Sequence, residues 1–347
     1  MTMLNEINYL PQGLLDCEAH ELDAVLAGPT LIHLPGRQQQ PLFVSVLMHG
    51  NETVGWEAVR RLLPRYDIAG GDKPMPRALS LFIGNTAAAR EGLRHLPGQP
   101  DYNRVWPGCV EPARVEDRSG EHGMMEAIVS KMAELDVFAS IDVHNNTGLN
   151  PHYACINVIR DDFLHLATLF GRTVVYFTDP CQVASRAMAN LCPSVTLECG
   201  KVGQQHGVDH AIDYLDACLH LTEFPQHGVA EHDVDLFHTV ATVKIPEHIS
   251  FGFDENGVQL RLSSSIEYLN FRELSAGTFF GSSMDTDELP LLVTNSKGEP
   301  VHEGYFAMQD NEIILQTAVM PSMLTTDKTV IRQDCLCYLM ERYSLEN

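Results

Sequence analysis

His49-Gly50-Asn51-Glu52 follows directly on the apolar run at residues 42–48 (LFVSVLM), and His144-Asn145-Asn146-Thr147-Gly148 follows a second run, ASIDV. Two imidazoles and a carboxylate make a catalytic zinc set, with a fourth position left for water. The spacing predicts His49 at the strand end and Glu52 on the first helical turn, both reaching one ion, with His144 closing the set from a neighbouring strand. One Zn2+ per chain is expected. Asp142, two residues before His144 on the same strand face, is placed to accept the free N–H of a ligating histidine. A third strand, SVTL, runs into Glu198-Cys199-Gly200. Glu198 lies outside the ligand spacing, and three roles fit it. It is a buried, paired carboxylate, a helix N-cap near Gly200, or a general base that moves a proton from water on zinc to a leaving nitrogen. His-x-x-Glu alone is a weak pattern; a second copy, His220 to Glu223, ends a helix and follows no strand. The agreement of three strand ends carries the reading.

Asp101-Tyr102-Asn103-Arg104, with Arg94 upstream, offers different chemistry. A guanidinium grips a carboxylate through two parallel hydrogen bonds, and a neighbouring amide adds more. Either these residues form an ordinary surface loop, or they line a cleft for an anionic substrate.

The elements that must position these groups alternate. Strand-like runs fall at residues 42–48, 78–83, 137–143, 155–159, 173–177 and 194–197, and helical patterns at 53–63, 124–135, 162–170 and 208–221. That alternation predicts an α/β layer fold whose largely parallel sheet gathers its ligands at the carboxyl ends of the strands. The segment 223–233 reads as a linker between a catalytic domain, 1–228, and a small all-β domain, 235–347. In the latter, 239–245 and 313–319 are strand candidates, Asn256-Gly257 signals a hairpin, and 296–298 a turn.

Composition narrows the partners. The 347 residues carry 23 Lys plus Arg against 46 Asp plus Glu, a formal charge of -23. Nucleic acid and anionic membrane are therefore not expected partners. No apolar run approaches the roughly 18–20 residues of a membrane span. The N-terminus lacks a basic region followed by an apolar one, so a cytoplasmic chain without signal peptide is expected. The nine cysteines are expected as buried, reduced thiols, Cys109, Cys155, Cys192 and Cys199 among them. The C-x-C at Cys335 and Cys337 is a weak metal signal.

Taken together, H-G-N-E after a strand, N-R some fifty residues on, D-x-H-N-x-T and an L-E-x-G strand resemble the succinylglutamate desuccinylase/aspartoacylase family of zinc carboxypeptidase-like hydrolases. Residues 269–271 (LNF) and 276–278 (AGT) look like part of its C-terminal β domain. The resemblance implies a zinc-carboxypeptidase-like mixed, largely parallel sheet flanked by helices. It implies zinc on His49, Glu52 and His144, and Glu198 as the base. By the same resemblance Arg94 polarises the scissile carbonyl, Asn103 and Arg104 hold the substrate carboxylate, and Arg186 clamps a second one. Tyr268 or Tyr305 stands for the tyrosine that aspartoacylases bring from the C-terminal domain. The N-N-T-G after His144 looks like the aspartoacylase branch, whereas the C-terminal domain looks like the desuccinylases. The expected activity is removal of the acyl group from a small anionic N-acyl amino acid, by a chain for which a homo-oligomer is one expected form. The alternatives are a metallocarboxypeptidase acting on short peptides and a catalytically silent ligand-binding relative.

Overall fold

The computed structural model describes residues 4–68, 71–109, 118–284 and 288–345. It divides into two compact units, residues 1–145 with 152–235, and residues 146–151 with 236–347.

The first unit is built on eight strands: β1 (Asn5–Ile7), β2 (Thr30–Leu34), β3 (Gln38–Val46), β4 (Arg77–Ile83), β5 (Ala139–Asn146), β6 (Tyr153–Ile156), β7 (Thr173–Tyr176) and β8 (Ser194–Lys201). Their order in the sheet is β1-β2-β4-β3-β5-β8-β6-β7. The sheet is mixed: β4, β3 and β5 run parallel, as do β6 and β7, while β2 is antiparallel to β4 and β6 to β8. The central strand β3 reads as an unbroken apolar run because it is covered on both faces; Leu42, Phe43, Val44 and Val46 are fully buried.

Among the described residues seven helices flank the sheet: α1 (Leu22–Val25), α2 (Val54–Leu62), α3 (Thr86–Glu91), α4 (Gly120–Glu134), α5 (Asp161–Thr168), α6 (Ala184–Met188) and α7 (Gln205–His220). Helix α4 buries Met125, Ile128 and Met132 in a cluster with Phe43, Phe82 and Trp106. The short β1, β2, α3 and α6 were not among the expected elements.

In the second unit, β9 (Asp235–Lys244) pairs antiparallel with β13 (Leu292–Thr294) and β17 (Cys337–Arg342), and β17 with β16 (Met320–Ser322). A further sheet has the order β10 (Phe251–Phe253), β11 (Leu260–Leu262), β12 (Phe279–Ser283), β15 (Glu312–Leu315), β14 (Phe306–Gln309). The expected Asn256-Gly257 hairpin is not there: Gly257 does take a positive φ of 77°, but β10 and β11 on either side pair in parallel. Residues 295–299 do form a turn, with the Gly298 N–H donating to the Asn295 carbonyl. Leu260, Phe280, Val293 and Leu339 lie in this unit's core. No helix among the described residues is long and apolar enough to cross a membrane.

Candidate metal centre and substrate site

Strands β3 and β5 lie side by side in register, Ser45 opposite Asp142 and Val46 opposite Val143. Their carboxyl ends therefore deliver His49 and His144 to one place. Leu47, just past β3, takes a left-handed backbone with φ 58°, which turns the chain sharply out of the sheet. Gly50 then passes so close to α3 that a Cβ there would lie 2.3 Å from the backbone of Ala88. Only glycine fits at that position. Glu52 stands before α2, not on its first turn as expected. A tight turn, with the Glu52 N–H donating to the His49 carbonyl, presents its carboxylate instead.

All three side chains are buried. His49 Nδ1 lies 2.7 Å from Glu52 Oε1, and His144 Nδ1 lies 2.7 Å from Glu52 Oε2. The outward nitrogens meet aspartates: His144 Nε2 is 2.8 Å from Asp142 Oδ2, and His49 Nε2 is 3.1 Å from Asp101 Oδ1. Ser45 Oγ in turn donates to Asp142 Oδ1 at 2.7 Å. Burial alone would raise the Glu52 carboxyl, yet the two imidazoles outweigh it and hold it below the ordinary range. Burial alone would lower His144, yet Asp142 and Glu52 carry it well above its ordinary value. Buried carboxylates around two imidazoles call for positive charge. Possible ligand atoms of His49, Glu52 and His144 lie within 4.8 Å of one another, the one such triple among the described residues. The donor set of two nitrogens and a carboxylate oxygen, each imidazole backed by an outer carboxylate, fits a divalent metal ion.

Glu198 sits on β8, opposite Tyr153 of β6. Neither bland expectation for it holds. Its Oε2 is shut from solvent without a hydrogen-bond partner among the described residues, and the residue capping α7 is Gln204. Burial, helped by Glu52 and Asp142 and opposed by His144 and Arg94, pushes its carboxyl up to about 8. Asn145 ties the two sides together: its N–H donates to Glu52 Oε2, its side-chain amide to the Gly200 carbonyl, and its Oδ1 accepts from the Val54 N–H.

The arginines are engaged. Arg94 Nε and Nη2 reach Asp101 Oδ2 at 3.0 and 2.9 Å, and Nη1 stands 3.9 Å from Glu52 Oε1. Asn103 is buried in a short turn capped by Asp101, with its Nδ2 3.4 Å from His144 Nε2. Arg104 Nη1 donates to the Asn103 carbonyl, and Arg186, on α6, donates to the Asn157 carbonyl. Tyr268 and Tyr305 both belong to the second unit.

The segment around Asn103 and the one leading to Arg186 are joined twice, by the Trp106 N–H on the Gln182 carbonyl and by a Cys109–Cys181 disulfide. The expectation of a reduced Cys109 is thus corrected; two cysteines 72 residues apart carry no local spacing signal. Cys155, Cys192, Cys199, Cys335 and Cys337 are buried free thiols. Sequence reasoning also missed Asp101, Ser45 and Asn145 as partners of the triad. Asp101 stood within a motif singled out for its arginine, and the strand register would have offered Ser45.

An α/β unit with a candidate metal-ligand triad at the carboxyl ends of adjacent strands defines the class. The model of the succinylglutamate desuccinylase/aspartoacylase catalytic domain matches residues 38–216, and the chain belongs to that family. It is 34% identical over 126 residues to a succinylglutamate desuccinylase of Serratia proteamaculans, a match covering 36% of this chain and 34% of that protein. It is 28% identical over 183 residues to that of Yersinia pestis, covering 47% and 52%. The matched stretch thus spans a third to a half of the length of these relatives. The fold is similar to that of the Chromobacterium violaceum succinylglutamate desuccinylase, with TM-score 0.59, 19% identity, and 91% and 89% of the two chains covered. It is similar also to murine aminoacylase 3, with TM-score 0.55, 13% identity, and 89% and 97% covered.

Proposed function

We propose that this protein is a zinc-dependent amidohydrolase that removes the acyl group from a small anionic N-acyl amino acid. The observation that carries this reading is a half-buried glutamate, Glu198, whose Oε2 is shut from solvent without a partner among the described residues, within electrostatic reach of the buried His49–Glu52–His144 triad. Zinc held by that triad supplies Lewis acidity, which polarises a carbonyl and eases ionisation of a water. Glu198 takes the proton and hands it to the leaving nitrogen. A carboxyl raised to about 8 lies where a group both accepts and returns a proton near neutral pH. Asp142 and Asp101 hold the two ligating imidazoles in orientation. Arg94, anchored on Asp101, lends positive charge to the developing oxyanion. Asn103 and Arg104 hold the substrate carboxylate, and Arg186 a second one.

The test joins metal analysis to an assay. Purified protein should carry one zinc per chain, lost in His49→Ala and His144→Ala, and should hydrolyse members of a panel that includes N-succinyl-glutamate and N-acetyl-aspartate. Arg104→Ala should raise KM roughly ten- to hundredfold, the loss of about 1.5–3 kcal/mol of charge-assisted binding. Full zinc in both histidine variants would end the metal assignment. Cleavage of short peptides without turnover of any acyl amino acid would favour a metallocarboxypeptidase, and no turnover at all a binding protein.

A further inference from the structure

A second group of imidazoles stands apart from the triad. His206 and His210 lie one turn apart on α7, and His152 immediately precedes β6. His210 Nε2 is 2.6 Å from the Phe170 carbonyl, an acceptor only, so that nitrogen carries the hydrogen and leaves Nδ1 with a lone pair. The His210 Nδ1 faces His152 Nδ1 at 3.3 Å. That gap is long for an N–H···N hydrogen bond. It equals the separation of two nitrogens bound tetrahedrally at about 2.0–2.1 Å to one ion, which is about 3.3 Å. The His206 ring stacks on His152 with centroids 5.1 Å apart and planes within 12°. It is exposed and one turn before His210, so its side chain is free to turn toward the same point. Burial, with His210 and His206 adding, lowers His152 to about 4, so its ring is neutral and free to donate a lone pair. Phe170 walls one side, its ring centroid 4.3 Å from that of His210.

We propose that His152, His206 and His210 form a second metal site, specific for a divalent transition-metal ion. An all-imidazole set selects zinc, copper or nickel over magnesium or calcium, which prefer oxygen. The Phe170 carbonyl fixes the His210 tautomer as an outer partner does at such sites. The site is independent of the triad, which draws on none of these residues.

Titration of the chelator-treated full chain with Zn2+ or Co2+ against a chromophoric competitor tests this. The wild type should take up two equivalents. His206→Ala and His210→Ala should lose the second and keep the first, whereas His49→Ala should lose the first and keep the second. Because His206 is exposed, His206→Ala preserves the fold and decides the matter should circular dichroism show His210→Ala unfolded. A wild type that binds one equivalent, lost in His49→Ala, would overturn the second site and leave the triad standing. Two equivalents retained in His206→Ala, or extra metal that no histidine variant removes, would also overturn it.

Discussion

The two sides of the candidate site treat a glutamate in opposite ways. On the β3 side, Glu52 has an imidazole on each carboxylate oxygen at 2.7 Å and stays ionised. On the β8 side, Glu198 keeps one oxygen without a partner, and its carboxyl rises to about 8. Burial is the leading influence on both, and it pushes both upward. Partners reverse it in one case only: two imidazoles within hydrogen-bond reach hold Glu52 ionised, whereas for Glu198 burial prevails over His144 and Arg94, with Glu52 and Asp142 adding to it. On the proposed roles, the metal ligand is surrounded and the base is left open, so environment rather than residue type separates the two.

Four experiments press on that contrast. The largest effect expected is on the chemical step: Glu198→Gln should slow kcat by ~10²–10⁴-fold with KM and zinc content nearly unchanged. Near-normal kcat in a zinc-loaded variant would remove Glu198 from the proton path. The second experiment reads the same substitution as stability in metal-free protein. Folding moves the Glu198 carboxyl from an ordinary 4.5 to about 8, so the folded chain keeps a proton that the unfolded chain has lost. The stability this contributes is complete below pH 4.5 and is lost as pH rises through 8, at about 1.4 kcal/mol per unit between. Gln cannot ionise, so Glu198→Gln should gain on the wild type across that window, as followed by urea denaturation. A difference that does not change with pH would contradict the raised carboxyl.

The third experiment weakens the surrounded side. Asp101→Asn and Asp142→Asn leave each imidazole without its outer carboxylate and should weaken metal binding by about 10–100-fold, read by competition with a chelator. Unchanged affinity in both would mean that the aspartates orient nothing. The smallest effect is that of Ser45→Ala, which deletes one neutral donor to Asp142. It should cost about 0.5–1.5 kcal/mol of stability and only a few-fold in metal affinity. A loss as large as that of Asp142→Asn would make the hydroxyl an equal partner.

How much of this was legible in the sequence follows from range. The apolar runs before His49, His144 and Glu198 place all three toward the carboxyl ends of their strands, because a strand buried on both faces reads as an unbroken run; β5 and β8 nevertheless run on past His144 and Glu198, to Asn146 and Lys201. The turn that presents Glu52 was not legible: helical spacing put it on α2, whereas the left-handed Leu47 and the close pass of Gly50 lift it off the helix start. Asp101 meets His49 across 52 positions and Cys109 meets Cys181 across 72. Such pairings depend on where loops return, and no local pattern encodes that. The His152 cluster was hidden for the same reason, since only His206 and His210 share a helix. In the second unit the Asn-Gly signal holds only for the positive φ of Gly257; Asn256 does not share it, and the neighbouring strands pair in parallel.

The segment 146–151 has a consequence for the order of events on the ribosome. It leaves the first unit two residues after His144 and packs within the second. There the Asn150 side chain accepts from the Met323 amide, a partner 173 residues downstream. At roughly 5–20 residues per second, that stretch takes about 10–30 s to synthesise. The nascent chain can therefore build its sheet and gather His49, Glu52 and His144 well before the loop that follows has anywhere to dock. Stalling translation past residue 235 but short of 323 would yield a first unit whose last ligand strand ends in an unmoored loop, and limited proteolysis of such stalled chains should cut first between residues 146 and 151.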